Sequence, residues 1–290
     1  MPAKLEIVSQ NRCFEGSVIK YEHQSEVLKC TMRFNVYLPD SKEPLPVLYF
    51  LSGLTCTEDN FIQKAGALRY LSDKKIALVC PDTSPRGVTI TGQDDAWDFG
   101  SGAGFYVDAT EAPWSAHYQM YSYVIRELPG LIHAHLAVDP DRASIMGHSM
   151  GGHGALISAL KNPGRYRSVS VLAAICHPTQ CPWGIKAFSG YLGATNRSCW
   201  EAYDATELAR SYRGPQLPIL LDQGDQDVFL KQKQLLPQHF LLAAENGPGR
   251  QQLAIENRMR PGFDHSYFYI QTFIEDHIQF HARHLLEASD

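Results

Sequence analysis

The stretch IMGHSMGGHGA, residues 145–155, sets Ser149 in a G-x-S-x-G pattern, with Gly147 and Gly151 two positions to either side. If Ile145 ends a strand and Gly152 begins a helix, the serine stands on a sharp turn with its hydroxyl exposed. A side chain at Gly147 or Gly151 would crowd the serine backbone, so only the smallest residue suits those positions. A serine hydroxyl is a weak nucleophile at neutral pH. It needs a base within hydrogen-bond reach, and the base needs an acid to orient it.

Both follow later in the chain, in the order serine, acid, histidine, each past a strand-like run. The segment LLDQGDQDVFL offers Asp222, Asp225 and Asp227. Asp222 should still lie at the strand end, pointing into it. Asp227, in the loop beyond Gly224, has the reach to turn back toward a histidine and is the preferred acid. The segment MRPGFDHSYFY places His265 in a Pro-Gly turn before a helix, where a rigid scaffold can present an imidazole. Asp264 beside it reads as a helix N-terminal residue. The oxyanion of a tetrahedral intermediate requires backbone donors. The residue after the nucleophile, Met150, should supply one N–H. Leu54 in FLSGLTCTEDN should supply the other, with Gly53 letting the backbone approach.

Other reactive residue types read more plainly. The chain has 12 histidines, so their presence alone is weak evidence of a site. His148 and His153 flank the serine and are expected to point away from it as packing residues. His277, His281 and His284 fall at helical spacing and read as a solvated helix face. No H-E-x-x-H pattern joins them, so no metal site is expected. GAGFYV does not form a strand-linked G-x-G-x-x-G, and no cofactor is expected. The seven cysteines, at 13, 30, 56, 80, 176, 181 and 199, form no C-x-x-C pair. Most read as small buried thiols kept reduced.

These residues must be positioned by elements that the hydrophobic pattern outlines. TMRFNVYLP alternates as a strand, PVLYFLSG and KIALVCPD are buried strand-like runs, and residues 58–73 look helical. Residues 82–118 read as a long loop anchored by Trp97, Phe99 and Trp114, and long loops inside a domain are usually functional. A helix over YQMYSYVIRELPGLIHAH, the strand RASIMGHS and the helix MGGHGALISALKNP follow. Then come the strand YRSVSVLAAIC and an irregular insertion over 176–204. The strand PILLDQGDQD, a helical stretch with Pro237 as kink or boundary, the strand QLAIENRMR and an amphipathic closing helix complete the pattern. The alternation predicts an α/β fold with a mostly parallel sheet and helices on both faces, as one domain over 1–290. A formal charge of −5 argues against nucleic-acid or anionic-membrane partners. No apolar run approaches the length of a membrane span, and the N-terminal stretch lacks a signal-peptide pattern, which predicts a cytoplasmic protein.

Taken together, LSGLTCTEDNF, PDTSPRG, WDFGSGAGFYVDAT, MYSYV, GHSMGGHGAL, CPWG, AFSGYLG, DQGDQD and DHSY resemble the S-formylglutathione hydrolase (esterase D) family over nearly the whole chain. The resemblance implies an α/β-hydrolase fold and a cytosolic enzyme of formaldehyde detoxification. The implied reaction is cleavage of S-formylglutathione to glutathione and formate, with side activity on small activated esters. Position by position, it puts the nucleophile on Ser149, the acid on Asp227, the base on His265 and the oxyanion donors on Leu54 and Met150. It also suggests that Cys56 lines the site and confers sensitivity to thiol reagents, and it is compatible with a homodimer. A formyl group needs only a small acyl pocket, with Trp97, Trp183 and Phe99 as candidates to close it. Lys64, Arg86 and Lys186, expected in loops, are candidates to meet glutathione's charges. A general small-acyl carboxylesterase or acyltransferase on the same fold is the alternative. A non-catalytic binding protein is disfavoured by the intact Ser149, Asp227 and His265 set.

Overall fold

The apolar runs that read as strands pair into a single nine-stranded sheet. In this computed structural model, which describes residues 4–195 and 197–286, the strands are β1 Glu6–Arg12, β2 Gly16–Ser25, β3 Cys30–Pro39, β4 Leu45–Leu51, β5 Ala77–Pro81, β6 Val138–His148, β7 Val169–Leu172, β8 Leu217–Gly224 and β9 Leu253–Arg260. Their spatial order is β1-β2-β3-β5-β4-β6-β7-β8-β9. The β1–β2, β2–β3 and β3–β5 pairings are antiparallel. From β5 through β4 to β9, every pairing is parallel. β4 is buried along its whole length, as a strand covered on both faces must be.

The helix Met150–Leu160, buried at every position, packs on β4, β6 and β7. The closing helix Tyr267–Leu286 lies against the other face of the same strands. Strand order reverses between β4 and β6: β4 leads out to β5, whereas β6 leads the other way to β7. Ligands of open α/β sheets bind at the carboxyl ends of strands beside such a reversal. The residues after β4, β6, β8 and β9 all emerge on that edge. No helix among the described residues is long and apolar enough to cross a membrane.

Several local expectations are revised. The helical stretch at 58–73 is split into Asp59–Lys64 and Leu68–Lys74, because Gly66 takes a positive φ of 69° between them. β7 stops at Leu172 rather than running to residue 176, where Ala173 turns to φ 48°. Pro237 is the first residue of the helix Pro237–Asn246, where its missing N–H costs nothing. The insertion at 176–204 is mostly helical rather than irregular. Its main element is Pro182–Leu192, with the Cys181 sulfur accepting the Gly184 N–H at its start.

Candidate active site

Ser149 sits between β6 and its helix at φ 58°, ψ −118°. That is a strained backbone for a residue with a side chain, and the surroundings hold it there. Its N–H donates to Leu172 O at 3.0 Å, and its carbonyl accepts from the N–H groups of His153 and Ile175. The flanking glycines are required by close approach. A Cβ on Gly147 would lie 2.1 Å from Gly151 O, and one on Gly151 would lie 1.9 Å from Leu51 O.

The loop after β4 comes to the same place. A Cβ on Gly53 would be 3.2 Å from Ser149 Cβ, so the backbone leading into Leu54 lies directly against the serine. Among the described residues, neither the Leu54 N–H nor the Met150 N–H has a hydrogen-bond acceptor. Two backbone donors are therefore available on either side of Ser149. The loop is clamped from the 82–106 segment. Tyr106 Oη donates to Ser52 O at 2.9 Å, Thr83 Oγ1 to Cys56 O at 2.5 Å, and Arg86 Nη2 to the same carbonyl at 3.1 Å. Thr55 N–H donates to Gly102 O at 2.9 Å.

Asp227 and His265 are brought together from the loops after β8 and β9. His265 Nδ1 lies 2.5 Å from Asp227 Oδ2. The same carboxylate caps the short helix Val228–Lys231, its Oδ1 accepting the N–H groups of Phe229 and Leu230, while Gln223 Nε2 donates to Oδ2 at 3.1 Å. Burial alone would push the Asp227 carboxyl up. The hydrogen bond and charge of His265, with the Phe229 N–H and Gln223, outweigh it and hold the group below the ordinary carboxylate value. The carboxylate is thus ionised, saturated with donors and fixed in direction, which is what an orienting acid needs. The Ser149 hydroxyl makes no side-chain hydrogen bond among the described residues. Such contacts commonly tighten only when substrate is bound.

The other two aspartates go elsewhere. Asp222 is fully buried in the sheet against Arg260, Tyr269 and His277. Asp225 Oδ1 accepts the Gly262 N–H. Asp264 Oδ1 accepts the Ser266 N–H and hydroxyl just before the closing helix.

A line of aromatic rings runs outward from His265. Phe229 stands edge-on to it with centroids 4.8 Å apart, Trp183 lies 4.7 Å beyond Phe229, and Trp97 lies 5.5 Å beyond Trp183 at 90°. Trp183 is buried, whereas Trp97 is 54% exposed. Phe99 stacks on Tyr191 and meets Trp114 edge-on, in a cluster that anchors the loop. Cys56 is half-buried near Lys64 and Tyr267. Burial pushes its thiol up against the pull of both neighbours, so it is a protonated thiol at neutral pH. Lys64 and Lys186 lie on helices rather than in loops. Lys64 Nζ is 5.6 Å from the Tyr267 ring centroid, and Lys186 pairs with Asp98. Arg86 is committed to Asp82 and to the Cys56 carbonyl.

Two expectations about histidines fail. His148 does not turn away from the site: its ring centroid is 4.5 Å from that of His265. His277 and His281 are fully buried, not solvated, and meet Ser170 on β7 and Ser168 just before it through hydrogen bonds of 2.8–2.9 Å. His153 is a packing residue, with Nε2 2.9 Å from Phe105 O. Sequence reasoning did not single out Phe229 or Gln223. Their signal was proximity to Asp227 in a turn that must fold around the carboxylate.

A family model described as "Putative esterase" matches residues 25–280. The chain is 56% identical to the S-formylglutathione hydrolase of Rattus norvegicus over 284 residues, covering 97% of this chain and 99% of that one. It is 57% identical to the S-formylglutathione hydrolase of Mus musculus, with the same coverage. A solved S-formylglutathione hydrolase from Agrobacterium tumefaciens superposes with a TM-score of 0.91 at 47% identity, covering 97% of this chain and 99% of that one. A ferulic acid esterase at 18% identity and a TM-score of 0.67 shares the fold alone.

Proposed function

This chain belongs to the esterase family matched over residues 25–280, and on that premise we propose that it hydrolyses S-formylglutathione to glutathione and formate. The observation that carries the mechanism is the 2.5 Å pair of His265 and Asp227 on the edge where Ser149 follows β6. Ser149 Oγ attacks the formyl carbon while His265 takes its proton. The N–H groups of Leu54 and Met150 hold the oxyanion. The C–S bond breaks, His265 returns the proton to the departing sulfur, glutathione leaves as its thiol, and the formyl group stays as an ester on Ser149. Water, deprotonated by His265, then attacks that ester. Formate leaves and the serine recovers its proton. Asp227 stays ionised throughout and balances the imidazolium.

In the same proposal, Trp183 and Phe229 wall the acyl side, Trp97 covers its outer end, and Cys56 lines the flank beside the oxyanion loop. The chain acts as one domain over 1–290, a reading supported by the continuity of the single sheet. The test is steady-state hydrolysis of S-formylglutathione beside p-nitrophenyl acetate, with Ser149→Ala as the blank. The thioester should be preferred by orders of magnitude in kcat/KM, because contacts to the glutathione portion contribute to transition-state binding. Equal, slow cleavage of both would leave a serine esterase and remove the proposed substrate.

A further inference from the structure

We infer that His148 is a positioning residue for this reaction, its neutral imidazole supporting the imidazolium that forms on His265. The inference rests on the reading of His265 as the base. His148 is 6% exposed, and its ring lies 4.5 Å from that of His265, tilted by 44°. Gly53 closes the other side, where a Cβ would come within 3.4 Å of His148 Nδ1. The His265 backbone lies near enough to pull on the ring, but neither ring nitrogen reaches hydrogen-bond geometry with a partner among the described residues. A buried polar ring without a partner is costly, and a phenylalanine or leucine would fill the same space more cheaply. The nitrogens are explained if they act when the neighbouring charge changes.

The groups that face this pair define the electrostatics. Asp227 lies across His265, Asp264 acts on His265 from the turn, and the Tyr267 ring is 6.2 Å from His148. Burial first, and then the charge of His265, push His148 well below the ordinary histidine value, against the weaker pull of Asp227 and the His265 backbone. His148 is therefore held neutral beside the imidazolium proposed to form on His265. A neutral imidazole tilted against a desolvated cation stabilises it through its dipole, by turning an unprotonated nitrogen toward the charge. That interaction grows only as the proton arrives, so it acts on the transition state rather than on substrate binding. The ring also blocks His265 from tilting off Asp227.

The experiment compares His148→Phe, His148→Leu and His148→Gln with the unmodified protein and the Ser149→Ala blank. It records kcat, KM, the pH profile of kcat and thermal unfolding on the same preparations. Phe and Leu, which lack the ring dipole, should lower kcat about tenfold with KM within about twofold. The acidic limb of kcat should move to lower pH, because the imidazolium has lost its support. Gln, which restores a neutral dipole, should recover part of both. Phe with unchanged kcat and an unmoved limb would overturn the inference, as would losses that follow thermal stability alone with the limb in place. If the unmodified protein were no faster than the Ser149→Ala blank, the reading of the triad would fail instead.

Discussion

Arg260 on β9 grips Asp222 on β8, with Nη2 2.7 Å from Oδ2, and this leaves Asp227 as the carboxylate that meets His265. Burial alone would raise the Asp222 carboxyl, but His277, Arg260 and Tyr269 hold it below the ordinary value. The two carboxylates thus divide the work: one ties the closing helix and β9 to the sheet, the other orients the imidazole. Asp222→Asn should leave kcat within about threefold and cost about 2 kcal/mol of stability, since it removes the buried carboxylate's charge-assisted bonds while Arg260 keeps Asp276. Asp227→Asn keeps a side chain that can cap the short helix, so the fold should survive while kcat falls by about 10⁴. Urea midpoints and kcat on both variants decide it. A reversal of the two effects would exchange the roles.

The loop after β4, proposed to supply the Leu54 oxyanion donor, has no regular element at residues 52–57, and its shape comes from the 82–106 segment. Thr83 and Arg86 both donate to the Cys56 carbonyl, two residues after Leu54. If these bonds aim the Leu54 N–H, Arg86→Ala should lower kcat about tenfold with little change in KM, and the pairing with Thr83→Val should bring the loss to about 100-fold. An unchanged kcat in the double variant would mean that Tyr106 and Gly102 suffice to hold the loop.

Trp183 and Trp97 touch each other but differ in burial, and their removal should separate cleanly. Trp183→Ala opens a cavity beside Phe229 and His265. It should cost about 3–5 kcal/mol of stability and lower kcat. Trp97 is more than half exposed, so Trp97→Ala should leave the unfolding midpoint in place and raise KM for the thioester a few-fold. A Trp97→Ala protein with unchanged KM would confine that ring to anchoring the loop.

The elbow was legible because its chemistry is local: a buried strand, two glycines that steric crowding demands, and a helix. The pairing of Asp227 with His265 was legible because each follows a strand-like run. Helix Pro182–Leu192 was missed because Gly184 and Gly190 read as breakers. They serve close packing instead: a Cβ on Gly184 would lie 2.1 Å from Pro178 O, and one on Gly190 would lie 2.4 Å from the Phe99 ring. Trp183, Ala187, Phe188 and Tyr191 nevertheless keep helical spacing. The burial of His277 and His281 was illegible from the helix alone. Their partners, Ser168 and Ser170, lie on and just before a strand more than a hundred positions away, and only the fold brings polar face to polar face. His148 was misread for a similar reason. Its neighbour in the site, His265, arrives from the far end of the sheet.

These buried histidines make stability depend on pH in a definite direction. His153 is fully buried, and desolvation, outweighing its bond to the Phe105 carbonyl, pushes it down to about 4. Burial and neighbouring histidines push His281 well below its ordinary value too, as at His148. A folded-state value below the unfolded one, about 6.5, means that the unfolded chain takes up the proton first. The stability linked to these groups is complete above about pH 6.5 and is lost as pH falls toward 4. Asp222 and Asp227, also lowered, extend the loss to more acidic pH. Asp82 and Asp204, raised by burial, oppose it: their contribution grows as pH falls through their folded-state values. The shift at His153 alone corresponds to about 3 kcal/mol. The free energy of urea unfolding should therefore fall by about that amount or more between pH 7 and pH 4. In His153→Gln, whose amide can donate to the same carbonyl, the curve should be flatter by about 3 kcal/mol over that interval. An unchanged slope in that variant would show that the histidine is not what the acid limb titrates.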